Sequence, residues 1–255
     1  MTAYFLIGAI AGILSGLFGI GGGVVVVPAL SFVFQYHNGY SASHAVHAAA
    51  ATSLAVMIMT SLSSLYAHHR KNNVRWSVIR PMIIWLMIGS LLGAAIATQM
   101  PARAIRICFA VFLLYIGGRL LLSRQYKKQA TFDVPPFILR VIGTGTGILS
   151  GILGIGGGAL LSPFFLRAGL EMREAAGTSV LCGLTIGLTA TLGFLFLGSV
   201  AHTGKYIDLT AFFSVALASM MAAPLGVKLV MYLPKTLSRR AFGIFLLIMA
   251  GYLFF

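Results

Sequence analysis

Eight runs of apolar residues, 19 to 30 long, fill almost the whole of this 255-residue chain. They are Phe5 to Phe34, Ala45 to Ala67, Ile79 to Thr98, Arg103 to Leu122, Phe137 to Leu166, Ala175 to Val200, Leu209 to Val230 and Leu237 to Phe255. A helix needs about 20 apolar residues to cross the hydrocarbon core of a bilayer, so every run is long enough to span. Period-two alternation is absent from them, which argues against a β-barrel. The expected class is an all-α integral membrane protein of about eight apolar helical segments, with no stretch left for a soluble catalytic domain.

Only 9% of the residues are charged, where a soluble domain carries about 25%. The net charge of +14 comes from 18 Lys and Arg against 4 Asp and Glu, most of them in short loops. A nucleic-acid protein would instead carry a basic patch on a soluble fold, so nucleic acid is not an expected partner. Cys108 and Cys182 lie inside apolar runs and predict packing, with neither a disulfide framework nor a metal cluster. The amino-terminal residues lack the basic n-region of a cleaved signal and read as part of the fold.

The runs fall into two copies of one unit. Gly12 to Pro28 reads GILSGLFGIGGGVVVVP and Gly147 to Pro163 reads GILSGILGIGGGALLSP, identical at 11 of 17 positions with an offset of 135. Thr52-Ser53 pairs with Thr178-Ser179 at offset 126, and from Val74 onward the offset settles at 133, pairing Gly93 with Gly226 and Pro101 with Pro234. The expected organisation is a first transmembrane repeat over residues 1–122, a polar linker over 123–136 and a second repeat over 137–255.

The first run of each repeat would make a helix of about 45 Å, longer than the roughly 30 Å hydrocarbon core. Either it tilts, or it breaks at the triple glycine into two half-helices that meet near the midplane. Loop charge separates the two. A single crossing divides the 18 Lys and Arg residues 10 to 8, whereas a run that turns back divides them 15 to 3. The second split obeys the positive-inside rule, with the rich side cytoplasmic. It also makes the second unit enter from the opposite face, so inverted repeats with a glycine-broken first helix in each are expected.

Such a break would aim unpaired N–H groups and two positive helix ends at one point, which suits an anion. The substrate-binding candidates are therefore Gly21, Gly22 and Gly23 with Gly156, Gly157 and Gly158, and the hydroxyls of Ser15, Ser150, Thr52, Ser53, Thr178 and Ser179. Hydroxyls can donate to an anion without the desolvation cost of a buried charge. The competing expectations are that the GxxxG portions only pack helices and that the hydroxyls only bond the preceding turn. His44 and His47 share a helical face at the start of the second run; they read as an interfacial polar cap, a gate being the alternative. No Gly-Lys-Ser/Thr follows the glycines, so they are not a nucleotide loop. Catalytic residues, a metal site and a cofactor are not expected.

Through the paired GILSGLFGIGGG and GILSGILGIGGG stretches, Pro28, Pro163 and the downstream Thr-Ser pairs, the chain resembles the sulfite exporter TauE/SafE family over nearly its full length. The resemblance implies a multi-pass inner-membrane protein that moves sulfite, a sulfonate or a related sulfur oxyanion, with the glycine elements and the Thr-Ser pairs handling the anion. The expected function is a secondary transporter of a small anion across the cell inner membrane; an anion channel and a non-transport scaffold are the alternatives. The expected partners are that anion and membrane lipid. A homodimer is compatible with the class, and no coupling ion is identified.

Overall fold

The computed structural model describes residues 1–18, 22–36, 39–122, 134–200, 206–232 and 235–254. Among these there are eleven helices and no strand. They are α1 (Thr2–Phe18), α2 (Gly23–Tyr36), α3 (Ala42–His69), α4 (Trp76–Ile79), α5 (Ile83–Gln99), α6 (Ala102–Leu122), α7 (Pro136–Leu153), α8 (Gly158–Arg167), α9 (Met172–Val200), α10 (Leu209–Tyr232) and α11 (Lys235–Phe254). Each apolar run becomes one helix, except that the first run of each unit is divided at its glycines. The short α4 is added before α5. Gly21, Arg124, Lys127, Lys128 and Lys205 lie outside the described residues, as does the linker before Val134.

The chain is an all-α membrane protein. Spans His44–Tyr66, Pro136–Leu153 and Met172–Leu197 are long and apolar enough to cross a bilayer, and shorter apolar helices accompany them. Rows of large apolar side chains face outward, among them Ile84, Ile88, Leu91 and Leu92 on α5 and Leu188, Leu192 and Leu195 on α9. Water would penalise such faces; lipid does not.

Why each first run divides is clearest in the second unit. Gly154 closes α7 in the left-handed region, φ +70°, and its N–H and that of Ile155 both donate to the Ser150 carbonyl, at 2.9 and 3.2 Å. Glycine accepts that dihedral without the clash that a Cβ would bring. In the first unit α1 ends at Phe18 and α2 begins at Gly23. The ring of Tyr4, near the start of α1, meets that of Phe34, near the end of α2, at 6.3 Å edge to face. Start and finish thus lie together, so this segment turns back.

Glycine also sets which helices touch. Gly8 lies against Val215 and Ala218, and Gly12 against Ser219 and Ala222, so α1 runs parallel to α10. Gly143 faces Met82 to Leu86, Gly147 faces Leu86 to Ser90, and Gly151 faces Ser90 to Ala94, so α7 runs parallel to α5. Each unit's first helix packs on a helix of the other unit. Meanwhile α3 and α9 run antiparallel: Gly187 abuts Leu54 and Ile58, Gly183 faces Ser61, and Gly177 abuts Asn73. Missing side chains let these backbones approach, which is how helices associate where lipid supplies no hydrophobic force.

The ends of the bundle differ in charge: Arg70, Lys71, Arg75, Arg80 and Arg173 gather at one, against Arg103 and Arg106 at the other. At one, Arg75 pairs with Glu174, its Nε 2.8 Å from the carboxylate, and Glu174 stands in the first turn of α9, where a negative charge is favoured. At the other, Arg106 donates to Gln35 at 3.4 Å, and Asp208 accepts from the Ala211 N–H at 2.9 Å to cap α10. Tyr40 donates to Asp208 at 3.3 Å, and burial, with that carboxylate, holds its phenol above the ordinary tyrosine value, so it remains a donor at neutral pH. His47, expected as a polar cap, places Nε2 3.0 Å from the Ala97 carbonyl and 3.1 Å from that of Met100, closing the end of α5.

A methyl on Gly147 would stand 2.7 Å from the Leu86 carbonyl oxygen and 2.8 Å from the Ser90 nitrogen, whereas one on Gly145 would meet nothing within 4 Å. Gly147→Ala is therefore expected to cost about 1–3 kcal/mol by overpacking. Gly145→Ala should be neutral or gain up to about 1 kcal/mol of helix propensity. Thermal unfolding of the two variants in detergent compares them; equal midpoints would refute glycine-dependent packing of α5 on α7.

Candidate functional site

The two glycine clusters meet. A methyl placed on Gly23 would lie 2.9 Å from the Gly154 carbonyl oxygen, 3.0 Å from the Ile155 Cα and 3.1 Å from the Ser53 Oγ. Ser53 lies about 16 Å along α3 from Ala42 at 1.5 Å per residue, leaving about 24 Å to His69, so the junction is deep inside the bundle. From it α2 runs toward the Asp208 end and α8 toward the Arg75 end. Their first turns, at Gly23 and Gly158, therefore face the junction from opposite sides. N–H groups of a first turn have no preceding carbonyl to bond, and each helix start carries a partial positive charge of about half a unit.

Beside the junction is a cavity of about 60 Å³. Ser15, Gly22, Gly23 and Ser53 line it, together with Thr60, Ser64 and Ser219. Ala11, Val26, Val56 and Met57 supply an apolar wall. Thr60 and Ser64 stand about two and three turns beyond Ser53 on α3, toward His69. The cavity thus extends from the glycine break toward the Arg75 end.

The four paired hydroxyls have different partners. Thr52 Oγ1 accepts from the Asp208 N–H at 3.1 Å and lies 3.5 Å from the Tyr206 carbonyl. Thr178 Oγ1 accepts from the Arg75 N–H at 3.1 Å. Asp208 and Arg75 are themselves 133 apart, the repeat offset, so each threonine holds the equivalent backbone amide of the other unit. Ser179 accepts from Ser162 at 3.0 Å. Ser53, 1% exposed, has an Oγ with no hydrogen-bond partner, and so has the fully buried Ser150.

Ser150 is the counterpart of Ser15, yet it faces no such opening. Around the second cluster a methyl on Gly157 would meet the Ile186 side chain at 2.8 Å and the Leu161 side chain at 3.2 Å. Ile186 occupies the position of Thr60 in the other copy, Leu86 that of Ser219, and Cys182 that of Val56, and all three are completely buried. The structure thus brings Ser15, Gly22, Gly23 and Ser53 together in an open vestibule. Ser150, Gly156, Gly157, Gly158 and Ser179 lie in closed packing, and Thr52 and Thr178 sit at the inter-unit contacts.

A family profile described as "Sulfite exporter TauE/SafE" matches residues 4–253. The chain belongs to the sulfite exporter TauE/SafE family. A "Probable membrane transporter protein" of Haemophilus influenzae is 28% identical over 250 residues, covering 96% of this chain and 94% of its own length. One of Methanocaldococcus jannaschii is 33% identical over 86% of this chain and 80% of its own. One of Bacillus subtilis is 26% identical over 90% of both chains. The family and these relatives make the protein a multi-pass membrane transporter.

Thr60, Ser64 and Ser219 were not among the residues singled out from the sequence. The signal was present in α3: Ser53, Val56, Met57, Thr60 and Ser64 follow the spacing i, i+3, i+4, i+7 and i+11 of one helix face. Ser219 carries no such mark, because only its hydrogen bond to the Gly8 carbonyl at 3.0 Å brings it to the wall.

An unpartnered buried hydroxyl costs stability that an anion or water could recover. Ser53→Ala is therefore expected to raise the anion-free unfolding midpoint, by about 1 kcal/mol, while weakening anion-dependent stabilisation. Thr178→Val should instead lower the midpoint by about 1–3 kcal/mol, since the Arg75 amide loses its acceptor. Differential scanning fluorimetry with and without added anion separates these outcomes; a destabilised Ser53→Ala would show that its hydroxyl serves the fold.

Proposed function

We propose that the protein is a secondary transporter of a small anion of the sulfite or sulfonate kind, and that its two units are inverted repeats moving about the glycine junction. The observation that carries this reading is the asymmetry of the two glycine clusters. One borders a hydroxyl-lined cavity that extends toward the basic end, and its counterpart is packed against Leu161 and Ile186, with Leu86 also fully buried.

Antiparallel α3 and α9, together with α1 on α10 and α7 on α5, support inverted repeats. If the units exchange conformations, the open vestibule closes and the counterpart opens on the opposite face, which is alternating access. Closure of one end supports a transporter over a channel, which would need a continuous path. The anion would sit beside Gly22, Gly23, Ser15 and Ser53 in this state, and beside Gly157, Gly158, Ser150 and Ser179 in the other. By the positive-inside rule, the Arg75 end is cytoplasmic, so the present state faces inward.

Cys182 offers a native reporter. Fully buried here, it matches Val56 of the open wall and would line the vestibule of the exchanged state. In a Cys108→Ser background in proteoliposomes, a membrane-impermeant maleimide applied opposite the basic face should label Cys182 only slowly at rest. A sulfite gradient should accelerate labelling several-fold. Labelling that ignores the gradient while flux proceeds would reject the exchange of states.

A further inference from the structure

Resting on that reading of the site, we propose that the vestibule selects its anion by charge state: it admits monoanions and discriminates against dianions, whatever the central atom. Sulfite would then be carried as bisulfite, and sulfate would be a poor ligand.

The inference starts from what encloses the cavity. Its walls come from α1, α2, α3 and α10. Residues 2–67 contain no Asp, Glu, Lys or Arg at all, and within α10 the first is Lys228. Lys228 stands five residues beyond Ala223. Of the titratable groups on these elements, Tyr4, Tyr36, His44 and His47 lie toward the Asp208 end, and Tyr66, His68 and His69 follow Ser64 on α3 at the mouth of the cavity. His68, four residues beyond Ser64, continues the lining face, and burial, with Lys71, holds its imidazole below the ordinary histidine value, which favours the neutral form. Among the described lining residues no side chain supplies a full positive charge to the bound anion.

Attraction comes from neutral groups instead. They are the start of α2 at Gly23, a helix of 14 residues, the Ser53 hydroxyl, buried, unpartnered and beside Gly23, and the hydroxyls of Ser15 and Ser64. Thr60 donates to the Met57 carbonyl at 3.1 Å and Ser219 to that of Gly8 at 3.0 Å, so their protons are already committed.

Fixed dipoles and hydroxyls attract in proportion to the charge of the ion. The cost of removing the ion from water rises as the square of that charge, on the order of four times greater for a dianion than for a monoanion of similar size. Doubling the charge thus doubles the gain and quadruples the cost. Arg and Lys commonly offset the difference where dianions are held, and the described wall has neither.

Methanesulfonate, a monoanion at every working pH, and sulfate, a dianion of similar size, are the probes, with radiolabelled sulfite flux measured in proteoliposomes. Methanesulfonate should compete at least ten-fold more effectively than sulfate. Between pH 6 and 8.5, sulfite flux should fall as bisulfite loses its proton, while direct methanesulfonate uptake stays level. That control separates ionisation of the substrate from titration of the protein. Ser64→Lys, at the mouth of the vestibule, should improve competition by sulfate several-fold in a variant that still carries methanesulfonate. Sulfate competing as well as methanesulfonate, or sulfite flux rising with pH, would overturn charge-state selection and leave the anion site standing. Transport of neither sulfite nor methanesulfonate by the intact protein would overturn both.

Discussion

Everything in this fold follows from the difficulty of breaking a helix inside hydrocarbon. The segment from Gly154 to Gly157 leaves backbone N–H and C=O groups outside the helical ladder, and lipid cannot hydrogen-bond them. Such a break survives only where protein surrounds it or a polar cavity reaches it. Both solutions are present. The second cluster is buried beneath α3, with Ala50 directly against Gly154, and the first opens to the vestibule at Gly22 and Gly23. The arrangement of the other helices is a means of keeping lipid away from these two places.

Threonine backbone contacts then fix the register between units. Thr52 and Thr178 each accept from an amide just ahead of the other unit's third run. The residues contributing those amides, Asp208 and Arg75, carry opposite charges and face different ends of the bundle. Because the hydrogen bond involves only the backbone, the contact is retained while the side chains diverge. Asp208 caps α10 and holds Tyr40, whereas Arg75 pairs with Glu174. A shared framework thereby supports two chemically distinct ends.

Much of this was legible in the sequence, and the reasons for what was not are instructive. Helix positions followed from apolar length, and the division of each first run followed from glycine count and loop charge. The breaks expected at the triple glycines are followed by helices that begin at Gly23 and Gly158. The partner of each glycine face was not legible. Gly12 and Gly147 announce close packing but do not say on what, and the answer, α10 and α5, lies in the opposite unit. Nor could sequence separate the neighbours within each Thr-Ser pair. Threonine and serine one residue apart on a helix point about 100° apart, so one reaches a distant loop and the other faces the glycine junction.

The sharpest divergence between the units is where sequence identity ends. The glycines and Ser15/Ser150 are shared, but the vestibule walls are not: Thr60 corresponds to Ile186, Ser64 to Ala190 and Ser219 to Leu86. Water can hydrate an opening lined by hydroxyls at little cost. Opening the counterpart would expose Leu86 and Ile186, each carrying a burial gain of about 1.5–3 kcal/mol. Under the proposed exchange, two geometrically equivalent states would therefore be unequal in energy, with the state open at the basic end the more stable. An anion that is to reach the other face must supply the difference through contacts it makes only after the exchange, and Ser150, buried without a partner, is a hydroxyl positioned to provide one.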